Sequence, residues 1–412
     1  MKKLVFRNGI YTVLRPLYYL CKVFGLAPYS YVADRRNKRA TSDYGYWNYM
    51  FTVIWLIVYT VGLAVQILVA NSVGVIAQTR FIALILVVIS SYTSSIIAVV
   101  CISIIKRRTF LDIIENISEV DNKIGFTHQE ETYMNKNVMF NIISEFILLT
   151  VFPSSLIIYI IYQLRNEEHY IICATLMILC FSYICNISIL MQFLNLVFMV
   201  KQRYGHLNKR LTTWINGTVS RPTSVKKKSE RCFGSARTVD HMIITPLRVS
   251  SVGNIEGTLR QTDIHWLRQI YSELYDITCL INDTYGIAIL ALMCWMLTGM
   301  LCSLYEVVVN FKGWGITNIV YAIIFIVFLF KVTFYCHTAT NEARSSRIVV
   351  QKLLLEGNCR NECVKEFKMF SLQLQEMTND FNACGFFSVN LKLFVSVVSA
   401  IVSYIIIMVQ IK

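Results

Sequence analysis

Hydrophobic residues in this chain come in long runs, not in the short alternating or helically spaced patches of a water-soluble domain. Seven runs reach the ~20 residues a helix needs to cross a bilayer: 49–70, 81–105, 138–162, 170–200, 284–309, 317–340 and 387–410. The pattern predicts an all-α polytopic membrane protein with seven transmembrane helices. The fourth run exceeds what a bilayer requires, and "KQRYGHLNKRLTTW" predicts its continuation as a helix beyond the membrane. Pro153 is the only proline inside a run.

Between the runs the pattern changes. "DIHWLRQIYSELYDITCLIN" sets Ile264, Leu267, Ile270, Tyr271, Leu274 and Ile277 at helical spacing, and "VVQKLLLEGNCRNECVKEFKMFSLQLQEM" also reads as helix. Helices that leave the bilayer with an apolar stripe must bury it. These segments therefore predict a cytosolic helical anchor domain built from extensions of the spans. The stretch "NGTVSRPTSVKKKSERCFGSARTV" between them reads as a disordered linker, its Lys226–Lys228 triplet facing solvent or anionic lipid. At the N-terminus, Arg7, Arg15 and Lys22 interrupt the apolar character, so no cleavable signal is expected. That segment predicts an amphipathic helix at the membrane face. The resulting division is 1–48, a cytosolic or interfacial segment; 49–200, spans one to four; 201–283, a cytosolic loop with helical flanks; 284–340, spans five and six; 341–386, anchor helices; and 387–412, the last span.

Composition agrees: 55% of residues are hydrophobic and 16% charged, where a soluble domain carries about a quarter charged. A net charge of +14 raises the possibility of nucleic acid, and the placement of the charges removes it. Thirty-three of the 39 Lys and Arg fall in the N-terminal segment and in the loops after spans two, four and six. Positive loops stay cytoplasmic, so the N-terminus is predicted inside and the C-terminus outside. This is the reverse of a G-protein-coupled receptor, and neither Asp/Glu-Arg-Tyr after span three nor Asn-Pro-x-x-Tyr in span seven occurs. None of the 13 cysteines lies in an outer loop, and "CRNEC" at 359–363 lacks the neighbours of a zinc site. The six histidines form no metal spacing, so no metal, no cofactor and no enzyme activity are expected. The sequons at Asn116, Asn216 and Asn282 fall on cytosolic or boundary segments and are expected unmodified.

The last run carries the most specific pattern. Advancing 100° per residue, Ser388, Lys392, Ser396, Ser399, Ser403 and Gln410 share an arc of about 80°, while Asn390 and Tyr404 lie elsewhere. Small hydroxyl residues let another helix approach closely. Alternatively, the stripe faces water, with copies from several subunits around a pathway. Packing accounts for the serines but leaves Lys392 and Gln410 needing partners. Ile407 sits at the edge of the arc beside Gln410, where an apolar ring could gate by dewetting.

These residues resemble a known family. Insect gustatory receptors end in Thr-Tyr, five hydrophobic residues and Gln-Phe. Here Ser403-Tyr404, "IIIMV" and Gln410-Ile411 keep that spacing. "QEMTNDFNACGFFSVNLKLF" and "LRPLYYLCKVFGLAP" are similar to the family's approach to the last span and to its N-terminal pattern. The resemblance implies a tastant-gated, non-selective cation channel in the plasma membrane of sensory neurons, homo- or hetero-tetrameric with other gustatory subunits. Its last span would line the pore, with Gln410 at the gate and Ile411 in place of the family's aromatic. Tyr404, about 120° from Gln410, would support the pore from behind. Odorant receptors are the nearest relatives, and an odorant-gated channel is the alternative reading.

The family binds tastants in an outward-facing pocket within each subunit, among spans two, three, four and six. Outer-half candidates here are Ser91, Tyr92, Ser154, Tyr159, Thr175, Asn318 and Tyr321. The set is aromatic with scattered hydrogen-bonding groups, which leans towards a bitter or other non-sugar ligand. Taken singly, each of these residues is also an ordinary packing position. Glu145 and Lys331 are costly in lipid, and both lie roughly 10 Å from the inner boundary at 1.5 Å per residue. They are predicted to pair, or each to reach a polar neighbour.

Overall fold

A computed structural model describes residues 8–27, 30–34, 39–43, 46–72, 79–164, 170–219, 261–309, 311–355 and 361–411. The first helix, α1 (Asn8–Val23), buries Val13, Leu14, Leu17 and Cys21 against two later helices, α5 (His128–Leu164) and α6 (Tyr170–Val219). It is amphipathic as its sequence requires, but it lies in a cleft of the protein with only its other face open. Gly25 ends it in the left-handed region, at φ 72°, where a Cβ would lie 2.9 Å from the Thr52 Cα. The side chains of α2 (Tyr46–Ser72) fasten this turn. Thr52 Oγ1 donates to the Gly25 carbonyl at 2.7 Å, and Trp55 Nε1 to the Val23 carbonyl at 2.5 Å. An antiparallel hairpin of β1 (Ser30–Asp34) and β2 (Arg39–Asp43) precedes α2.

Next, α3 (Thr79–Val99) ends in a π-helical turn, Val100–Ile105. Lys106 just beyond it forms an ion pair with Asp283 of α7 (Gln261–Val309). The loop that follows is not irregular: α4 (Thr109–Ile124) buries Leu111, Ile113, Ile114 and Ile117 beside α7. Gly125 caps α4 in the left-handed region, and two residues later Thr127 and Glu130 form a reciprocal capping box that opens α5.

Three helices dominate the rest. α6, α7 and α8 (Phe311–Leu355) run 50, 49 and 45 residues. At 1.5 Å per residue each is at least twice as long as the ~30 Å hydrocarbon layer is thick. Their polar ends pack together with α9 (Asn361–Glu376) around a buried hydrogen-bonded core. There Tyr271 Oη donates to Asn208 Oδ1 at 2.7 Å and Ser346 Oγ to the same oxygen at 2.6 Å, while Asn208 Nδ2 donates to the Glu342 carbonyl. Arg203 on α6 holds Asp121 of α4 through two bonds of 2.8 and 2.6 Å. The first four residues of the stretch read as a linker, 216–219, close α6, which corrects that reading there, and residues 220–260, with the Lys226–Lys228 triplet, lie outside the described residues.

A second small hairpin, β3 (Asn382–Ala383) with β4 (Phe387–Ser388), leads into the last helix, α10 (Leu391–Ile411). Asn282 of α7 clamps it, donating to the Asp380 carbonyl at 2.9 Å and accepting from the Asn382 N–H at 3.2 Å. The described residues are mostly helical, with only these two short hairpins as strand. One expectation is corrected here: the last helix begins at Leu391, with Asn390 Oδ1 capping the Leu393 N–H at 3.1 Å. Ser388 therefore belongs to a strand and leaves the polar stripe. Among the described residues, five helical segments are long and apolar enough to cross a membrane: Tyr49–Leu68, Ile85–Ile105, Leu179–Thr213, Thr262–Val308 and Asn318–Lys352. Leu391–Ile407 is a shorter apolar helix.

Candidate functional site

α10 packs on the rest of the described chain through one face. Ile401 is buried, and Phe394, Val397 and Ile405 are half-buried against α7 and α8. Phe394 meets the Phe330 ring edge-on at 5.3 Å. On the wheel these four centre near 225°, and the polar stripe lies about 180° away. Lys392, Ser396, Ser399, Ser403 and Gln410 are all exposed, as are Tyr404 and Ile407. Ser403 Oγ returns its proton to the Ser399 carbonyl at 3.0 Å, which dulls one hydroxyl without burying it. The Ile411 side chain lies outside the described residues. A single chain thus presents a file of polar groups and flanking apolar residues with none of its own described residues packed over them.

A second cluster joins α3 to α6. Ser91 Oγ and Ser95 Oγ both reach Ser182 Oγ, at 2.8 and 2.9 Å, and Ser95 Oγ donates to Asn186 Oδ1 at 3.0 Å. Asn186 Nδ2 closes the set on the Ser91 carbonyl at 3.1 Å. Tyr92 is buried beside it, its hydroxyl without a hydrogen-bond partner among the described residues. A buried hydroxyl left so costs about 1–3 kcal/mol, a penalty that a bound acceptor or donor would remove.

Next to this cluster on α6 begins a set of packed aromatic rings. Tyr183 lies 5.2 Å from Trp295 of α7, and Trp295 lies 5.3 Å from Phe325 of α8. Tyr321 and Asn318, on the turns of α8 before Phe325, are half-buried. Ser154 does not join them, since its side chain is exposed on α5 and donates to the Val151 carbonyl. The side chains of Tyr159 and Thr175 lie outside the described residues. Sequence reading missed Ser95, Ser182 and Asn186, although Ser91/Ser95 and Ser182/Asn186 repeat the i, i+4 spacing of two facing polar edges.

The structure brings Glu145 and Lys331 together, with Lys331 Nζ 3.6 Å from Glu145 Oε1. Asn195 donates to the other carboxylate oxygen at 2.7 Å, Asn141 donates to Oε1 at 3.1 Å, and Tyr335 Oη donates to Asn141 at 2.6 Å. This network links α5, α6 and α8, and the neighbouring turn of α8 carries Phe330 onto α10.

Comparison with known proteins accords with this layout. Residues 14–412 match the family model described as 7tm Chemosensory receptor. Among solved structures, the fold is similar to that of the insect olfactory receptor OR5 from Machilis hrabei. The TM-score is 0.72 at 11% identity, covering 97% of this chain and 98% of that one. The same receptor in complex with eugenol gives a TM-score of 0.69 at 11% identity, over 98% and 99%. No curated protein matches the chain.

Proposed function

We propose a tastant-gated, non-selective cation channel of the gustatory type, from the premise that this chain belongs to the 7tm chemosensory receptor family. In this reading α2, α3, α5, α6, α7, α8 and α10 are the seven spans, with the N-terminus inside and the C-terminus outside. The helix ends with α4 and α9 form the cytosolic anchor. Four subunits, identical or mixed, surround the pore in the plasma membrane of sensory neurons. The observation that carries the reading is the face of α10 turned away from its own subunit. It combines exposed Ser396, Ser399, Ser403 and Gln410 with exposed Ile407, the mix of wetting and dewetting groups that a gated pathway needs.

Gln410 and Ile411 form the gate at the outer mouth, Tyr404 supports it, and Lys392 sits at the inner entrance. The tastant enters the subunit between α3, α6, α7 and α8. Its polar group meets the Tyr92 hydroxyl and the Ser91 cluster, and its apolar body meets Trp295, Phe325 and Tyr321. Rings outnumber free hydrogen-bonding groups in this lining, which favours a bitter or other non-sugar compound. The second reading, an odorant-gated channel, draws on the fold of OR5, a receptor that takes eugenol.

Whole-cell recording with G-protein cycling blocked tests the proposal. Ligand-evoked cation current should persist under the block, and Gln410→Arg should suppress it by placing a ring of like charge in the pathway. A current that vanishes with the G protein would overturn the channel reading. Responses confined to volatile ligands would favour the odorant alternative.

A further inference from the structure

We propose that Lys392 governs ion traffic at the inner end of the pathway. Its copies on the surrounding subunits form a ring of positive charge that thins out cations at the cytosolic mouth, divalent more than monovalent. This role presupposes the channel described above and adds to it a bias in the direction of current.

Lys392 is the one charged residue of α10, and residues 381–412 hold no Asp or Glu. Its side chain is exposed, and it makes no hydrogen bond or ion pair among the described residues. Asp380, the nearest acid before it in the sequence, is taken up by Arg344 at 2.7 Å. The position is also a poor one for a lysine. Asn390 caps α10, so Lys392 falls in its first turn, where the helix dipole favours an anion. Neither a local partner nor helix stability accounts for the charge.

Its direction separates it from lipid. On the helical wheel Lys392 and Gln410 both stand at about 40°, between Ser399 at about 20° and Ser403 at about 60°. Exposed Val395, Val402 and Val409, the residues suited to lipid, stand at about 300–340°. A lysine reaching for headgroups would serve on that side, whereas this one continues the polar file. Lys392 and Gln410 lie about 27 Å apart along the axis, at 1.5 Å per residue. The Debye length at physiological salt is about 8 Å, so the charge acts at its own mouth and is screened at the gate. Cations leaving the cytosol meet it first, whereas those arriving from outside have already passed the gate. At one Debye length, four unit charges in water lower the local concentration of a monovalent cation by about fourfold. For a divalent cation the factor is about the square of that.

Charged thiol reagents read this potential without a ligand, because the inner mouth lies on the cytosolic side of the gate. The full-length Ser396→Cys protein carries its reporter one turn from Lys392. In inside-out membrane vesicles it is treated with the anionic sulfonatoethyl or the cationic trimethylammonioethyl methanethiosulfonate. Mass spectrometry of the peptide bearing residue 396 gives the ratio of the two rates, referred to that of a free thiol in solution. The anionic reagent should be favoured about tenfold. Adding Lys392→Gln should bring the ratio to about one, and adding Lys392→Glu should invert it. A ratio unchanged by Lys392→Gln, or no reaction at Ser396→Cys from either side, would overturn the role of Lys392. A ratio of about twofold is what one lysine alone produces at that distance, and it would overturn the ring. Reaction confined to right-side-out vesicles would overturn the choice of mouth. Whole-cell recording judges the channel and this ratio judges the charge at its mouth, so either can fail without the other.

Discussion

At the scale of single residues, the strongest constraints are buried charges. Glu145 is almost wholly buried, with Lys331, Asn141 and Asn195 as its side-chain partners among the described residues. Removing one partner of a buried pair strands the other, at a cost of about 3–5 kcal/mol. Lys331→Met should therefore lower the thermal midpoint markedly, and Glu145→Gln/Lys331→Met should recover much of the loss. A double variant no more stable than the single one would show that the pair contributes nothing as a pair. His206 gives a pH-dependent counterpart in the anchor. Its ring is packed edge-on against Phe126 at 4.7 Å, and Nδ1 lies 3.8 Å from Glu130. Burial, with the nearby Arg210 adding repulsion, pushes the imidazole down from 6.5 to about 4. As pH falls from 6.5 to about 4 the unfolded chain takes up this proton before the folded one does, so stability is lost across that window and is fully present above it. His206→Gln should flatten this part of the profile in thermal melts, and an unchanged acid limb would refute the assignment. The Glu145–Lys331 contact was legible because each stands alone in an apolar run at a matching depth. The role of His206 was not, since nothing in the sequence marks its approach to Glu130.

At the scale of elements, hydrophobic runs located the long helices but not their interruptions. The run rule carried the last span back to 387, whereas a strand pair occupies 387–388 and Asn390 starts the helix. Backbone hydrogen bonding and a cap set that boundary, and an apolar count sees neither. The same rule read 106–137 as a loop, although α4 buries six apolar residues there within 16; its helical spacing was present and was outshone by the longer runs. Helix-to-helix contact is likewise set by residues that hydropathy ignores. Gly299 of α7 lets the Phe325 ring of α8 come so close that a Cβ would lie 2.5 Å from its Cζ. Gly299→Ala should displace that ring from Trp295 and cost about 1–3 kcal/mol by overpacking. It should also weaken ligand response more than basal expression. Gly299→Ala/Phe325→Leu should restore stability, because the shorter side chain vacates the space. If the alanine variant melts with wild type, the close approach is not a constraint.

At the scale of the whole molecule, exposed apolar surface means different things above and below the membrane boundary. On α10, Val395, Val402, Ile406 and Val409 are exposed, and lipid alone would accommodate them. No such account serves the anchor. Met369 and Leu372 stand 48% and 58% exposed on α9, and Ile348 and Leu355 are exposed on the end of α8. These lie on helix extensions read as cytosolic, where exposed apolar groups on adjoining helices mark a contact surface. A second copy of this chain satisfies both regions at once, because subunits joined through the anchor would bring their α10 helices side by side. The detergent-solubilised protein should therefore behave as an assembly of several 47.5 kDa chains. Met369→Arg/Leu372→Arg should shift it towards monomer with helical content unchanged by circular dichroism. Since both residues lie on α9 and α10 packs chiefly on α7 and α8, loss of current in the same variant would tie conduction to assembly, whereas a monomeric variant that still conducts would require each chain to hold a complete pathway.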